Sequence, residues 1–236
     1  MNSSKSIGII IEARLTSNRL PRKHLLEVLN KPILTYLIDR LKSIEPTNKI
    51  ILAIPDSEAN IELEKIASES GILCFKGSEE NVMQRVLQAA EYFNLDIICE
   101  ITGDCPLIDP ILVSEAIAFF LENNFEYMSS GRTGIPDGMG VQIFLTSALR
   151  RSFKLATKLS HFEHVTSHIN ENPDLFRIHY MKTADNLRRP NLRLTLDTEI
   201  DFQLLCNIIK HFLPEKPFFT LVEILDYLDS KSLPST

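Results

Sequence analysis

One rhythm constrains this chain more than any other feature: short apolar runs alternate with longer segments whose apolar residues recur at helical spacing. Ile7–Ile11 is an apolar, β-branched run of the kind that forms a strand buried on both faces. Pro32–Leu41 follows with Ile33, Leu34, Leu37, Ile38 and Leu41 on one helical stripe. The cycle repeats. Lys49–Ile54 reads as a strand, Asp56 or Ser57 caps a helix to Ser70, and Gly71 stops it. Ile72–Phe75 is a third strand, and Ser78 offers a cap for a helix through Phe93. Asp96–Thr102 is a fourth strand, and Asp109-Pro110 opens a helix to about Asn123. A β-α-β-α order of this kind predicts a mostly parallel sheet with helices on both faces.

Beyond Asn124 the rhythm loosens. Ser129–Gly140 reads as loop, Val141–Leu145 as strand and Thr146–Ala156 as helix. Ser160 and Glu163 match a capping box that opens a helix to about Asn170. Phe176–Tyr180 and Leu192–Leu196 read as strands, and Glu199–Phe212 and Thr220–Lys231 as amphipathic helices. No repeat or linker interrupts the chain. One domain over residues 1–236 is the expectation, with 125–170 an acceptor-binding and dimerisation insertion that carries apolar Met139, Ile143 and Phe144.

Composition excludes several functions. The 236 residues carry a net charge of −6, which disfavours a nucleic-acid coat. No apolar run approaches the roughly 20 residues that span a bilayer, and residues 1–6 hold no apolar leader. Cys74, Cys99, Cys105 and Cys206 form no C-x-x-C pair and read as reduced thiols of a cytoplasmic protein. The charge is uneven, however. Residues 1–31 hold six basic side chains against two acidic ones, a basic pole suited to a small anionic ligand.

Ligands of parallel α/β sheets bind beyond the carboxyl ends of the strands. After the first strand comes Glu12-Ala13-Arg14-Leu15-Thr16-Ser17-Asn18-Arg19-Leu20-Pro21-Arg22-Lys23, whose Arg14, Arg19 and Lys23 can neutralise phosphates. The phosphate-loop pattern G-x-x-x-x-G-K and the dinucleotide pattern G-x-G-x-x-G are both absent. After the fourth strand, Gly103 permits close approach of a ligand and Asp104 offers a carboxylate to Mg²⁺. Asp197, after the last expected strand, offers a second. Two such carboxylates repel each other unless a cation joins them.

These residues carry a resemblance. Ala13-Arg14-x-x-Ser17-x-Arg19-Leu20-Pro21-x-Lys23 is similar to the signature of cytidylyltransferases that activate acidic sugars, closest to the spore coat polysaccharide biosynthesis protein F branch. Gly77–Val82, Thr102–Ile108, Pro136-Asp137-Gly138, Glu163-His164-Val165-Thr166 and Leu196-Asp197-Thr198 recur in the same order. The resemblance implies a nucleotide-diphospho-sugar transferase fold, a three-layer αβα sandwich with a mostly parallel mixed sheet. It implies transfer of CMP from CTP to an anionic sugar, a nonulosonic or octulosonic acid or a related acceptor, with release of pyrophosphate for surface polysaccharide or glycan biosynthesis. It implies Mg²⁺, replaceable by Mn²⁺, on Asp104 and Asp197. Lys23, Arg14 and Asp104 become the catalytic residues. Ala13, Arg14, Ser17, Arg19, Lys23, Ser78 and Gly103 become the nucleotide contacts, and Asp137, Gln142, Glu163 and His164 the acceptor contacts. It further implies a homodimer.

The chain departs from the pattern twice. Arg22 stands where the loop usually has Gly, and Gly140-Val141-Gln142 stands where the branch carries D-V-E, so the acceptor region lacks two carboxylates. His161, His164 and His168 could share a helix face, but no Cys is near to complete a zinc site, so they read as surface or acceptor-contact histidines. Cys105 reads as a packing residue. Two rivals share the expected fold or ligand. A glycosyltransferase would normally show D-x-D, which is absent; a non-catalytic nucleotide-binding module would not need Arg14, Lys23, Asp104 and Asp197 together.

Overall fold

The computed structural model describes residues 5–44 and 49–232. Residues 1–4, which hold most of the segment read above for an apolar leader, lie outside them. Strand β1 (Ile7–Glu12) leads through the basic loop and a single 3₁₀ turn at Lys23–Leu25 to a two-stranded hairpin, β2 (Glu27–Val28) and β3 (Lys31–Pro32). There follow α1 (Ile33–Leu41), β4 (Lys49–Pro55), α2 (Ile61–Glu69), β5 (Leu73–Gly77), α3 (Val82–Tyr92), β6 (Ile97–Thr102) and α4 (Pro110–Glu122). The second half adds β7 (Tyr127–Ser129), β8 (Gln142–Leu145), α5 (Thr146–Leu155), α6 (Leu159–Glu163), α7 (Ser167–Glu171), β9 (Ile178–Tyr180), α8 (Glu199–Phe212) and α9 (Leu221–Ser232).

Seven strands form one sheet in the order β5-β4-β1-β6-β8-β7-β9. All run the same way except β8, which pairs antiparallel with both β6 and β7. Period-two alternation in β1 splits the core. Ile7, Ile9 and Ile11 pack with α1, α2 and α4, whereas Ile10 packs with α3, α5 and α7 on the other face. The result is the expected αβα sandwich. A third apolar cluster, formed by Val28, Ile33, Leu194, Leu196 and the inner faces of α8 and α9, closes one end of the molecule.

Several local expectations needed tertiary information. Leu192–Leu196 is not a sheet strand; it crosses above the strand ends and forms one isolated bridge, Asp137 with Arg193. Its backbone bonds go to loops, Leu194 N to Asp137 O at 2.8 Å and Leu196 N to Asp104 O at 2.8 Å. Gly138 permits this crossing: its φ is +92°, and a Cβ there would lie 2.9 Å from the Leu194 carbonyl carbon. The expected helix from Ser160 to Asn170 is instead α6 and α7, and Ser160 lies inside α6 instead of capping it. The chain leaves the helix at His164 so that Val165 is buried and the Thr166 hydroxyl reaches Gln142 Oε1. Helix α3 starts later than Ser78, at an Asn81 cap whose Oδ1 accepts from Gln84 N at 2.8 Å.

Residues 125–170 supply β7 and β8 to the sheet, and Met139, Ile143 and Phe144 are buried within the fold. Those three side chains are therefore unavailable for pairing with a second copy. His161 and His168 are likewise buried, at 3% and 5% exposure, and are not surface groups. His161 Nε2 meets Glu171 Oε2 at 3.1 Å, and His168 Nδ1 meets Ser152 Oγ at 3.0 Å.

Asp109 does what its sequence position predicts and more. Its Oδ1 accepts from Ile111 N at 2.9 Å, capping α4, and its Oδ2 accepts from Leu221 N at 2.7 Å, anchoring α9. Replacing it with Ala removes a cap and leaves the Leu221 N–H without its acceptor. The expected cost is about 2–3 kcal/mol, read as a lower denaturant midpoint at unchanged slope.

Candidate active site

Strand β1 lies between β4 and β6, and the chain winds away from it in both directions, which opens a crevice at the carboxyl ends of β1 and β6. Glu12 and Thr102 face each other across that end. Gly103 donates its N–H to Glu12 O at 2.7 Å, and a Cβ on Gly103 would lie 2.8 Å from the same oxygen. Only glycine lets the two strand ends approach so closely. The basic loop folds over the crevice through Leu15 N bonded to Asn60 Oδ1 at 2.9 Å and Arg22 N bonded to Leu15 O at 3.1 Å. Arg22 adopts φ 58°, the left-handed region that explains the glycine usual in similar loops.

A cavity of about 440 Å³ results. Ala13, Arg14, Ser17, Arg19, Lys23, Gly103, Asp104 and Asp197 line it, as the sequence reading expects. Ser78 does not. Its Oγ instead accepts from Asn81 N at 3.0 Å, and its carbonyl accepts from Arg85, which does line the cavity. Glu163, expected at the acceptor, also lines this cavity, 4.0 Å from Arg14.

The centre of the cavity is a bridge. Lys23 Nζ donates to Asp104 Oδ2 at 2.9 Å and to Asp197 Oδ1 at 3.0 Å. Arg19 reaches the same Asp197 oxygen at 2.7 Å, and Arg193 holds Asp197 Oδ2 at 2.9 Å. The expected repulsion between the two carboxylates is thus cancelled within the chain. Burial alone would raise the Asp104 pKa, but the Lys23 ammonium outweighs it and holds the group below the usual aspartate range. Lys23 is itself only 7% exposed, so its ammonium is largely withdrawn from water although it belongs to a loop.

Sequence reasoning missed Glu12, His24, Arg85 and Arg193. Glu12 and Glu100 lie close to each other beside Arg85, and burial raises the pKa of both carboxyls. Burial, helped by Lys23, pushes the His24 pKa down to about 4. Each of the four sits within or next to a motif but carries no pattern of its own. Only the fold gathers them.

A second cavity of about 470 Å³ abuts the first and shares Thr102 and His164 with it. Asp137 and Gln142 line it, with Arg132 at the rim. Gln142 Oε1 accepts from Tyr127 Oη at 2.6 Å and from Thr166. Asn170 joins this network through Tyr127 Oη at 3.1 Å.

Among the described residues no group of three or more His, Cys, Asp or Glu converges as a metal cage. The pair Asp104 and Asp197 nevertheless suits a hard cation that keeps water and takes phosphate oxygens, because Mg²⁺ usually uses one or two carboxylates. One carboxylate oxygen from each residue already converges on a single positive charge.

The family model described as cytidylyltransferase matches residues 8–218. The chain belongs to the cytidylyltransferase family. It is 36% identical to an uncharacterised protein of Methanocaldococcus jannaschii over 95% of this chain and 90% of that one. It is 30% identical to the spore coat polysaccharide biosynthesis protein SpsF of Bacillus subtilis, over 84% and 83% of the two chains. A solved cytidylyltransferase from Leptospira borgpetersenii superposes with a TM-score of 0.92 at 29% identity, covering 97% of this chain and 95% of that one. This cytidylyltransferase is accordingly a CTP-dependent nucleotidyltransferase.

Two stability predictions follow from the bridge and its neighbour. Lys23→Ala leaves two half-neutralised carboxylates facing each other. It should lower stability by about 1–3 kcal/mol, the cost of breaking one partner of a largely buried pair discounted for the residual exposure of Asp104. An unchanged melting temperature would contradict the bridge. His24 stays neutral in the folded protein down to about pH 4, while its unfolded value is near 6.5. The unfolded chain therefore takes up that proton first, and the stability His24 contributes is lost as pH falls from 6.5 toward 4. His24→Gln should flatten this limb of the stability profile relative to the parent protein.

Proposed function

We infer that this cytidylyltransferase transfers CMP from CTP to an anionic, polyhydroxylated acceptor of the nonulosonic or octulosonic acid kind, releasing pyrophosphate. The observation that carries the reading is the meeting of two cavities. A cavity whose lining includes Arg14, Arg19, Lys23 and Arg85 and a second polar cavity share Thr102 and His164, beside the Lys23–Asp104–Asp197 bridge.

Arg14, Arg19 and Lys23 hold the triphosphate and orient its α-phosphorus toward the second cavity. Ala13, Ser17 and Gly103 let the nucleotide lie close against the strand ends, and Arg85, steadied by Ser78, adds a further cation. Asp104 and Asp197 would hold Mg²⁺, or Mn²⁺ in its place, which would supply charge neutralisation at the phosphates. The acceptor lies against Asp137, Gln142 and His164. Both bonds to Gln142 go to Oε1, so its NH₂ is the end left to meet a hydroxyl. Arg132 at the rim suits one carboxylate. Replacement of the D-V-E pattern by Gly140-Val141-Gln142 removes negative charge from this wall, which suits an acidic acceptor. Positioning and charge neutralisation supply the rate, with little covalent work for the protein.

The similarity to a spore coat polysaccharide protein supports a product destined for surface polysaccharide or another glycan. The four cysteines are all free thiols, which suits a cytoplasmic enzyme drawing on CTP. Among the described residues no helix is long and apolar enough to cross a membrane. A homodimer remains our reading, now resting on the family and on exposed Leu155 and Leu159, at 48% and 88%, instead of on Met139, Ile143 and Phe144. Light scattering at micromolar concentration should give twice the chain mass; a monomer would overturn the dimer.

A matrix of nucleoside triphosphates against acidic sugars, read by mass spectrometry, should yield a CMP-linked product only with CTP and a divalent cation. Lys23→Ala, Asp104→Asn and Asp197→Asn should each lower turnover by about two orders of magnitude or more, because the lost charge acts mainly on the transition state. The double Asp variant should lose little beyond the worse single one. Turnover that survives EDTA, or two mild and additive Asp variants, would contradict the assignment.

A further inference from the structure

We propose that Lys23 occupies the divalent-cation position in the nucleotide-free enzyme, so that the metal site opens only when the triphosphate draws Lys23 away. The proposal rests on Asp104 and Asp197 as the metal ligands. Lys23 Nζ stands 2.9 Å from one carboxylate and 3.0 Å from the other, between the two groups that would hold the metal. An ammonium and a divalent cation repel, and Mg²⁺ needs its oxygens at about 2.0–2.1 Å. The two cannot share the position. Lys23 must leave first.

The construction around Lys23 suits such an exchange. Its backbone is fixed by Lys23 N bonded to Leu20 O at 3.3 Å and by Leu26 N bonded to Lys23 O at 3.3 Å. The long, flexible side chain can therefore swing while the turn stays still, and its head is a point charge that moves readily between anions. Arg19 shares Asp197 Oδ1 with Lys23, so two cations leave one oxygen when phosphates enter. Arg193 is placed differently. It holds Oδ2, with further ion pairs to Asp137 at 3.7 Å and Asp201 at 3.8 Å. It can keep Asp197 aimed at the crevice while Oδ1 changes partner.

A metal ion alone offers Lys23 no new partner, so displacing it would strand a mostly buried ammonium. A triphosphate offers one in the same cavity, beside Arg14 and Arg19. A ligand shifts an equilibrium only by its differential affinity for the two states, and here the nucleotide has that difference and the free metal lacks it. Nucleotide and metal binding are then coupled in both directions.

The test uses no nucleotide and no acceptor. Binding of Mn²⁺ is followed by loss of the free-ion paramagnetic resonance signal in the parent protein, in Lys23→Met and in Lys23→Gln, with far-ultraviolet circular dichroism as the check on folding. Both neutral variants should bind Mn²⁺ at least about tenfold more tightly than the parent, a difference of about 1.4 kcal/mol. Mn²⁺ should raise their melting temperatures and leave that of the parent unchanged. Adding Asp104→Asn to either variant should abolish the gain. Lys23→Gln, which can still donate to a carboxylate, keeps the test open if Lys23→Met does not fold. Equal Mn²⁺ affinity in the parent and the folded neutral variants would overturn the proposal. That failure would leave the transfer reaction intact if the parent still released pyrophosphate from CTP.

Discussion

Lys23 joins two carboxylates that lie 81 and 174 residues further along the chain, and the candidate crevice depends on that junction. The three groups come from different parts of the structure. Lys23 sits on a 3₁₀ turn of the basic loop, Asp104 follows β6, and Asp197 ends a segment that crosses above the sheet. Each can be drawn to a common point because the backbone has already brought the segments together. Gly103 N on Glu12 O ties the end of β6 to the end of β1, and Leu196 N on Asp104 O ties the crossing segment to the loop after β6. Without the ammonium, Asp104 would face Asp197 across the crevice with Arg19 and Arg193 left to hold Asp197.

The first half of the fold is legible in the sequence because it is locally consistent. Ile7–Ile11, the stripe from Ile33 to Leu41 and the Asp109-Pro110 start each announce their element, and the structure forms each one. The second half is less legible because its elements are short and set by partners. Tyr127–Ser129 pairs with β8 and β9 within three residues, too few for periodicity to register. Leu192–Leu196 has the composition of a strand but spends its hydrogen bonds on loops. Ser160 and Glu163 have the spacing of a capping box, yet burial of Val165 and the Thr166–Gln142 bond break the helix at His164.

The candidate site divides in the same way. Residues in the basic loop and at the strand ends, among them Arg14, Arg19, Lys23 and Asp104, could be named because a parallel sheet puts those positions at the crevice. Lys23 could not be recognised as buried, since a lysine in a loop of basic and hydroxyl residues has every mark of a solvated one. Arg193 and the Glu12–Glu100 pair could not be named, because their meaning lies in which charges they meet after folding. His161 and His168 show the converse. Helical spacing suggested a shared surface, and the fold spends both rings on buried contacts with Glu171 and Ser152.

The central claim is that Asp104 and Asp197 exchange the Lys23 ammonium for a divalent cation when CTP binds. The most direct measurement is an anomalous-scattering crystal structure of the protein with Mn²⁺ and a non-hydrolysable CTP analogue. The account predicts a manganese peak between Asp104 and Asp197, with Lys23 moved onto the phosphates and Arg193 still on Asp197. A fully bound nucleotide with Lys23 still bridging the two carboxylates, or manganese held elsewhere, would contradict it.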